Sequence, residues 1–277
     1  MRIALIVGSA EPGHDGIGDH AARLAGALAG RGHRAWVLAI NDRQVREPGS
    51  TALEVEGRDV VALRIPARSS SFSRYALARV ALENAEPEAV LYDFSATHYD
   101  GRGLIWPQAA NLAELGNDRR RAILLHEYCV GTERGADRRH RLWGAAQRAG
   151  FRRFARRLTG ARLATTNPLY AEMLRRNGFA AEIVPLFGNI PPAPPPTANW
   201  CHARLREAGI AGTGARGFYC AGFFGSLYAG ADLAPALAML QQAARAADGR
   251  LAVLSVGELG GSAALWRELQ GRSAPGH

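Results

Sequence analysis

A mixed α/β chain built on a mostly parallel, doubly wound sheet is predicted by three observations. Apolar runs of strand length alternate with amphipathic helix patterns from residue 3 to residue 186. The first run, residues 3–7, breaks into a loop, residues 8–20 (GSAEPGHDGIGDH), before an Ala/Leu-rich helix pattern. A proline-rich stretch, residues 189–199 (NIPPAPPPTAN), is followed by a restart of the same alternation. Proline fixes φ and removes a donor, so that stretch reads as a semi-rigid linker. The expected division is a first domain over 1–188, a linker over 189–200 and a shorter second domain over 201–277.

The opening loop falls at the carboxyl end of a strand, where such folds bind ligands. Glycines at 13, 16 and 18 let backbone N–H groups approach a ligand closely, and the following helix start favours an anion. A connecting turn that needs positive φ explains the same glycines.

Residues 34–40 (RAWVLAI) read as the second strand, after a helix ending near Gly32. A polar stretch with Pro48 and Gly49 precedes the third strand, residues 59–65, which Pro66 closes. Helical spacing marks residues 73–84, and residues 89–94 (AVLYDF) form a strand. A helix is expected over 104–115, a strand over 121–125 and a long helix over 137–158. Strand 162–166, helix 169–177 and strand 182–186 complete the first domain. Past the linker come strand 218–224, a glycine loop at 225–231, helix 233–247, strand 251–256 and helix 263–269. Two strand–helix units make only half of a usual α/β domain, and a two-stranded sheet is marginal alone.

At 277 residues, 47% hydrophobic and 21% charged, the composition is that of a soluble globular protein. No stretch approaches the roughly 20 apolar residues that span a bilayer, and the N-terminus lacks a signal-peptide pattern. Cys129, Cys201 and Cys220 form no CxxC pair, which points to a reducing compartment and a cytoplasmic protein. The net charge is +9 and lysine is absent, so all 34 basic residues are arginine. Chemistry that needs a P-loop or Schiff-base lysine is excluded. Phosphate must be held by arginine, backbone N–H or a helix end.

His126 and Glu127 lie just past an apolar strand, in the ligand crevice of an open α/β sheet. A histidine there could contact a sugar hydroxyl or phosphate oxygen, or act as acid or base; capping of the strand end is the other reading. Asn167, before Pro168, could contact a ligand and also suits a helix N-cap. Nine arginines between Arg134 and Arg157 are interleaved with Leu142, Trp143, Phe151, Phe154 and Leu158. They form either a solvated basic face or a contact with anionic lipid at the inner membrane face; no nucleic-acid module is present. An NAD-dependent oxidoreductase needs GxGxxG tight against the first strand and an acidic residue after the second. Glycines at 8, 13, 16 and 18 are wrongly spaced for that, although Asp42 stands where the acid would be. His14, Asp15, Asp19, His20 and His126 could converge, but at no familiar metal spacing.

These stretches resemble a retaining glycosyltransferase of the GT-B fold, in the large family-four group. GIGDH before a helix ending in RGH resembles the usual glycine loop and the turn after it. HEYCVGTERGADRRHRLWGAAQR, TTNPLYAEMLRRNG, IVPLFGNIP and FFGSLYAGADLAPAL resemble later parts of the pattern. The resemblance implies two Rossmann-like domains, the first on the acceptor side and the second on the nucleotide-sugar side. It implies a UDP- or GDP-sugar donor, a polysaccharide or lipid-linked acceptor, and neither metal nor other cofactor. Gly16, Gly18 and Asp19 would lie near donor phosphates and acceptor, and His126 would contact the transferred sugar. Gly225, Ser226 and Leu227 would lie beneath the donor diphosphate.

Two departures qualify that reading. The family commonly places an arginine and a lysine where Ser226 and Ala229 stand, and a leaving diphosphate needs its developing charge stabilised. Glu258 and Glu268 do not match the family's E-x7-E pair, which predicts a C-terminally shortened second domain. The expected activity is hexosyl transfer once that part is supplied; the alternative is a non-catalytic binding module.

Overall fold

The computed structural model describes residues 1–132, 135–190, 194–207, 218–224, 234–247 and 250–256, with Ala263, Arg267 and Gly271. The chain divides into two compact units, Met1–Pro192 and Ala193–His277.

Eight strands form the sheet of the first unit: β1 (Arg2–Val7), β2 (Arg34–Asp42), β3 (Gly49–Val55), β4 (Arg58–Pro66), β5 (Ala89–Ser95), β6 (Arg120–Glu127), β7 (Arg162–Thr165) and β8 (Glu182–Ile183). Their order is β3-β4-β2-β1-β5-β6-β7-β8. Neighbours are parallel throughout, except that β3 runs antiparallel to β4. The chain winds outward from β1 to one edge, then outward from β5 to the other. The order therefore reverses between β1 and β5, and a crevice opens outside their carboxyl ends.

The described residues of this unit include the α-helices α1 (Gly16–Gly30), α2 (Ser71–Ala85), α3 (Ala96–Tyr99), α4 (Ala109–Glu114), α5 (Arg138–Arg157) and α6 (Pro168–Arg176). On one face Ala21, Ala22 and Ala25 of α1 pack with Leu5, Val7, Val37, Ala39 and Val60. The small alanines let the helix lie close over the strands. The other face carries Ile6, Leu38, Tyr92 and Phe94, packed with residues of α2, α4, α5 and α6. Phe94 stacks on Phe154 at 5.3 Å and meets Phe151 edge-on at 5.2 Å. Such pairs add roughly 1 kcal/mol each beyond area burial. Because strand side chains alternate, Tyr92 and Phe94 point toward α5 and Asp93 between them points toward α1.

The switch point is tied by Tyr99 of α3. Its hydroxyl donates to the carbonyls of Ile6 on β1, at 2.7 Å, and of Asp93 on β5, at 3.1 Å. Gly8 admits this arrangement, since a Cβ there would overlap the His98 carbonyl group of α3.

Three elements differ from expectation. β3 occupies the polar stretch read as connection; it is an edge strand on which only Leu53 is fully buried, so alternation is weak. The helix expected over 104–115 is a 3-10 turn at Trp106–Gln108 followed by α4, because Pro107 lies in its first turn. The strand expected over 182–186 has two residues; after the Val184 N–H donates to the Thr165 carbonyl, Pro185 has no N–H to continue the ladder.

In the second unit, α7 (Ala198–Glu207), β9 (Phe218–Phe224), α8 (Ala234–Ala246) and β10 (Arg250–Val256) are described. β9 and β10 pair in parallel over their full length. α7 starts inside the stretch expected to be linker, where the Thr197 hydroxyl accepts from the Trp200 N–H at 3.2 Å. The glycine loop expected at 225–231 lies outside the described residues, as does most of helix 263–269.

β2 gains an extra residue against β4 between Ala39 and Asp42. The bulge ends on Asp42, which is fully buried and accepts four hydrogen bonds. Arg64 gives two, Nε at 2.8 Å and a terminal nitrogen at 3.1 Å, and the amides of Ala10 and Gln44 give the others. Burial raises the Asp42 carboxyl, but Arg64 and the two amides outweigh it and hold the carboxyl below its ordinary 3.8. A carboxyl depressed in the folded state stabilises fully above its unfolded value and loses that contribution as pH falls. Asp42→Asn should therefore cost about 3 kcal/mol at neutral pH, by leaving Arg64 buried without its main partner. It should also flatten the stability loss below pH 3.8; urea unfolding at pH 7 and at acid pH measures both.

Candidate functional site at the carboxyl ends of the strands

The opening loop fills its own anion position. Asp15 caps α1, accepting from the amides of Ile17 at 3.0 Å and Gly18 at 3.1 Å, and pairs with His98 Nε2 at 2.7 Å. Burial raises its carboxyl, and His98 with the two amides brings it below the ordinary value. The amides that an external phosphate would need are thus held by an internal carboxylate. Asp19 accepts from the Gly13 amide at 3.0 Å and braces the loop. The Gly16 carbonyl accepts from the Asn189 side chain at 2.7 Å. Gly18 lies so close beneath Ser9 that a Cβ would meet its carbonyl oxygen at 2.5 Å. Gly16, Gly18 and Asp19, expected in a loop running to His20, lie in the first turn of α1, which begins at Gly16.

The residues that do converge come from three elements. His20 lies on α1, Asp93 on β5 and His126 on β6, beside the switch point. At the end of β6, Ser95 pairs with Glu127 instead of His126, because one extra residue is inserted after the Phe94–Leu125 pair. Ile123 and Leu125 share the face of Tyr92 and Phe94, so strand alternation turns His126 to the α1 face beside Asp93. His126 Nε2 lies 3.0 Å from Asp93 Oδ1. His20 Nδ1 lies 3.6 Å from the same oxygen, beyond hydrogen-bond reach. The two imidazoles meet edge-on at 4.8 Å, and Phe187 stacks on His20 at 4.5 Å. Exposure is 4% for His20, 0% for Asp93 and 9% for His126.

Burial alone would push the Asp93 carboxyl up. The two imidazoles outweigh it and hold the carboxyl below the ordinary range. Among the described residues, Asp93 Oδ2 and His20 Nδ1 have no hydrogen-bond partner. His126 Nδ1 makes no hydrogen bond to a described residue. A buried carboxylate on Nε2 fixes the tautomer: Nε2 carries the proton and Nδ1 keeps a lone pair for a ligand.

Glu127 is exposed, and the Ser95 hydroxyl donates to it at 2.9 Å. Asn167 caps α6, accepting from the Tyr170 amide at 2.9 Å, which fits the capping reading of that residue. Gly225, Ser226 and Leu227 lie outside the described residues. Sequence reasoning missed Asp93, which sits inside a run read as a buried strand. It treated His20 only as one of several scattered groups. The signal was an acidic residue alone among apolar ones in residues 89–94. Asp42, the residue a dinucleotide ribose would need, is saturated by Arg64 and two amides.

No protein-family model matches the chain, and no curated protein matches it. Among solved structures, it resembles the catalytic domain of starch synthase IV from Arabidopsis thaliana, a structure bound to ADP and acarbose. The TM-score is 0.53 at 14% identity, over 98% of this chain and 70% of that one. An NADH-flavin reductase from Streptococcus pneumoniae aligns with TM-score 0.33 at 14% identity, over 60% of this chain and 70% of that one. Described helices include none long and apolar enough to cross a membrane. The fold is α/β and GT-B-like.

Proposed function

We propose that the chain is the sugar-transferring part of a retaining glycosyltransferase. It would move a hexose from a UDP- or GDP-sugar to a glycan or lipid-linked acceptor. The observation that carries this reading is His126: strand alternation turns it to the α1 face at the carboxyl end of β6, Asp93 orients it through Nε2, and Nδ1 is left for a ligand. In that tautomer Nδ1 accepts from a hydroxyl of the transferred sugar. Glu127, exposed beside it, accepts from a second hydroxyl. The GT-B-like fold supports the reading, and the starch synthase neighbour binds a nucleotide and an oligosaccharide analogue together. With lysine absent, charge on the leaving diphosphate falls to arginine and to backbone N–H groups such as those of Ser226 and Leu227.

A second reading, a binding module without transfer, is favoured by one observation: Ser226 and Ala229 stand where the family carries its two cations. Calorimetric titration with UDP-glucose and GDP-mannose, followed by a transfer assay, separates the two. Binding of neither nucleotide-sugar would remove the donor-site reading; binding without transfer to any acceptor selects the module.

Glu127→Gln changes an exposed group, so stability should move by no more than about 0.5 kcal/mol. Affinity for the nucleotide-sugar should fall about tenfold, or ~1.4 kcal/mol, while affinity for free UDP or GDP stays the same. His126→Ala behaves differently from the near-neutral change expected of a cleft residue. It takes from a fully buried carboxylate its hydrogen-bond partner, so unfolding free energy should fall by about 3 kcal/mol.

The basic helix extends the proposal to a surface. Arg138, Arg139, Arg141, Arg152, Arg156 and Arg157 of α5 are exposed, and Leu142 beside them is 72% exposed; Arg134 lies outside the described residues. Phe151 and Phe154 take the opposite side into the core. A charged face carrying an exposed leucine suits anionic headgroups at the inner face of a membrane. Each arginine near such a surface contributes about 1 kcal/mol. Sedimentation with phosphatidylglycerol vesicles should therefore weaken on the order of 100-fold in an R138Q/R139Q/R141Q variant. Binding that does not fall with added salt would refute the electrostatic contact.

A further inference from the structure

His20, Asp93 and His126 bring three potential metal-ligating groups together. Asp93 is wholly buried, yet among the described residues it has a single hydrogen bond and its second oxygen has no partner. His20 Nδ1, on a residue 4% exposed, is likewise without a partner and lies 3.6 Å from that carboxylate. Buried polar groups are satisfied almost without exception in folded proteins. Two such atoms in one three-residue cluster therefore leave a place for an occupant that both residues can bind. Asp42 shows how this same sheet treats a buried carboxylate that is purely structural: all four of its acceptor sites are filled.

The donor set suits a metal cation. One ligand atom from each of the three residues lies within 4.8 Å of the other two. The two measured separations to Asp93, 3.0 Å and 3.6 Å, bracket the ~3.3 Å edge of a tetrahedron with ~2.05 Å metal bonds. Two neutral imidazoles and one carboxylate form a donor set suited to zinc. Each ligand stands on a different element of one packed unit, so the set is held before metal arrives. Phe187 over His20 supplies an apolar wall, of the kind that limits solvent access around metal sites.

We propose that His20 Nδ1, an Asp93 carboxylate oxygen and His126 Nε2 bind one zinc ion per chain. This goes beyond the glycosyltransferase reading, which expects no metal, and it stands without it. Three protein ligands leave a fourth position for water. The ion replaces the proton that otherwise lies between Asp93 and His126. A neutral imidazole bound through Nε2 carries its proton on Nδ1, so zinc turns the outward atom of His126 from an acceptor into a donor.

The test uses the full chain, stripped with EDTA at neutral pH, loaded with zinc, desalted and analysed by atomic emission. One zinc per chain should remain, and cobalt in its place should give the intense visible bands of a four-coordinate site. His20→Gln and Asp93→Asn should each lower zinc affinity about tenfold or more, as loss of even an outer-shell partner does. Wild-type protein that retains no zinc would overturn the proposal, as would affinity unchanged in both variants. If Asp93→Asn fails to fold, wild-type stoichiometry and His20→Gln decide. Nucleotide-sugar titration of the stripped protein is a separate readout. Binding that persists without zinc supports the donor-site reading for the metal-free chain even where the zinc proposal fails.

Discussion

A carboxylate wholly removed from water must be matched by its surroundings or it destabilises the fold, and the first unit is arranged around two of them. Asp93 is the more consequential. Its position in β5 is fixed by its neighbours, because Tyr92 and Phe94 bind β5 to α5 through ring contacts on the opposite face. Strand alternation then leaves Asp93 no direction but toward α1. His20 on the second turn of α1 and His126 on the bulge of β6 follow as the groups that make its burial tolerable. Tyr99 secures the place where β1 and β5 part, through the carbonyls of Ile6 and Asp93. The crevice is thus held open by a side chain whose own burial depends on both strands.

Much of this architecture was legible in the sequence, because it rests on local patterns. Continuous apolar runs such as residues 3–7 and 34–40 are what strands buried on both faces require. Asn167 before Pro168 signals a helix start through a hydrogen bond made within three residues; the cap at Asp15, inside a glycine-rich stretch read as loop, did not stand out. β3 was not legible, since an edge strand paired on one side needs no apolar pattern. The centre of the site was hidden for a different reason. His20, Asp93 and His126 are far apart in the chain, and only the strand order brings them together. No spacing rule contains that order. His126 was legible because a strand end is a local feature; its partner Asp93 was not, because it lies inside the strand.

The glycine loop shows the converse. Its composition suits an anion cradle, and the structure does place it at a helix N-terminus. Yet Asp15 supplies the negative charge from within the chain, with His98 behind it. Gly18 serves close packing beneath Ser9, and Gly13 serves a turn at positive φ. Glycine content records that backbone approaches something closely; it does not record whether that partner is a ligand or the protein itself.

The two bulges at the carboxyl edge make the same distinction between structure and site. Each inserts one residue into a parallel strand, in β2 before Asp42 and in β6 at His126. Each lies beside a buried carboxylate. Around Asp42 the result is closed: Arg64 spans both oxygens, two amides complete them, and Glu11 holds the far side of the guanidinium. Nothing remains there for a ligand to bind. Around Asp93 the result is open, with an oxygen and a ring nitrogen unpartnered among the described residues and a third ring atom directed away from the cluster. Folding stability alone favours the first arrangement, since every unmade hydrogen bond of a buried group costs about 1–3 kcal/mol. The persistence of the second, a few ångströms from the switch point in a sheet able to build the first, is the physical reason to look for chemistry at Asp93 and not at Asp42.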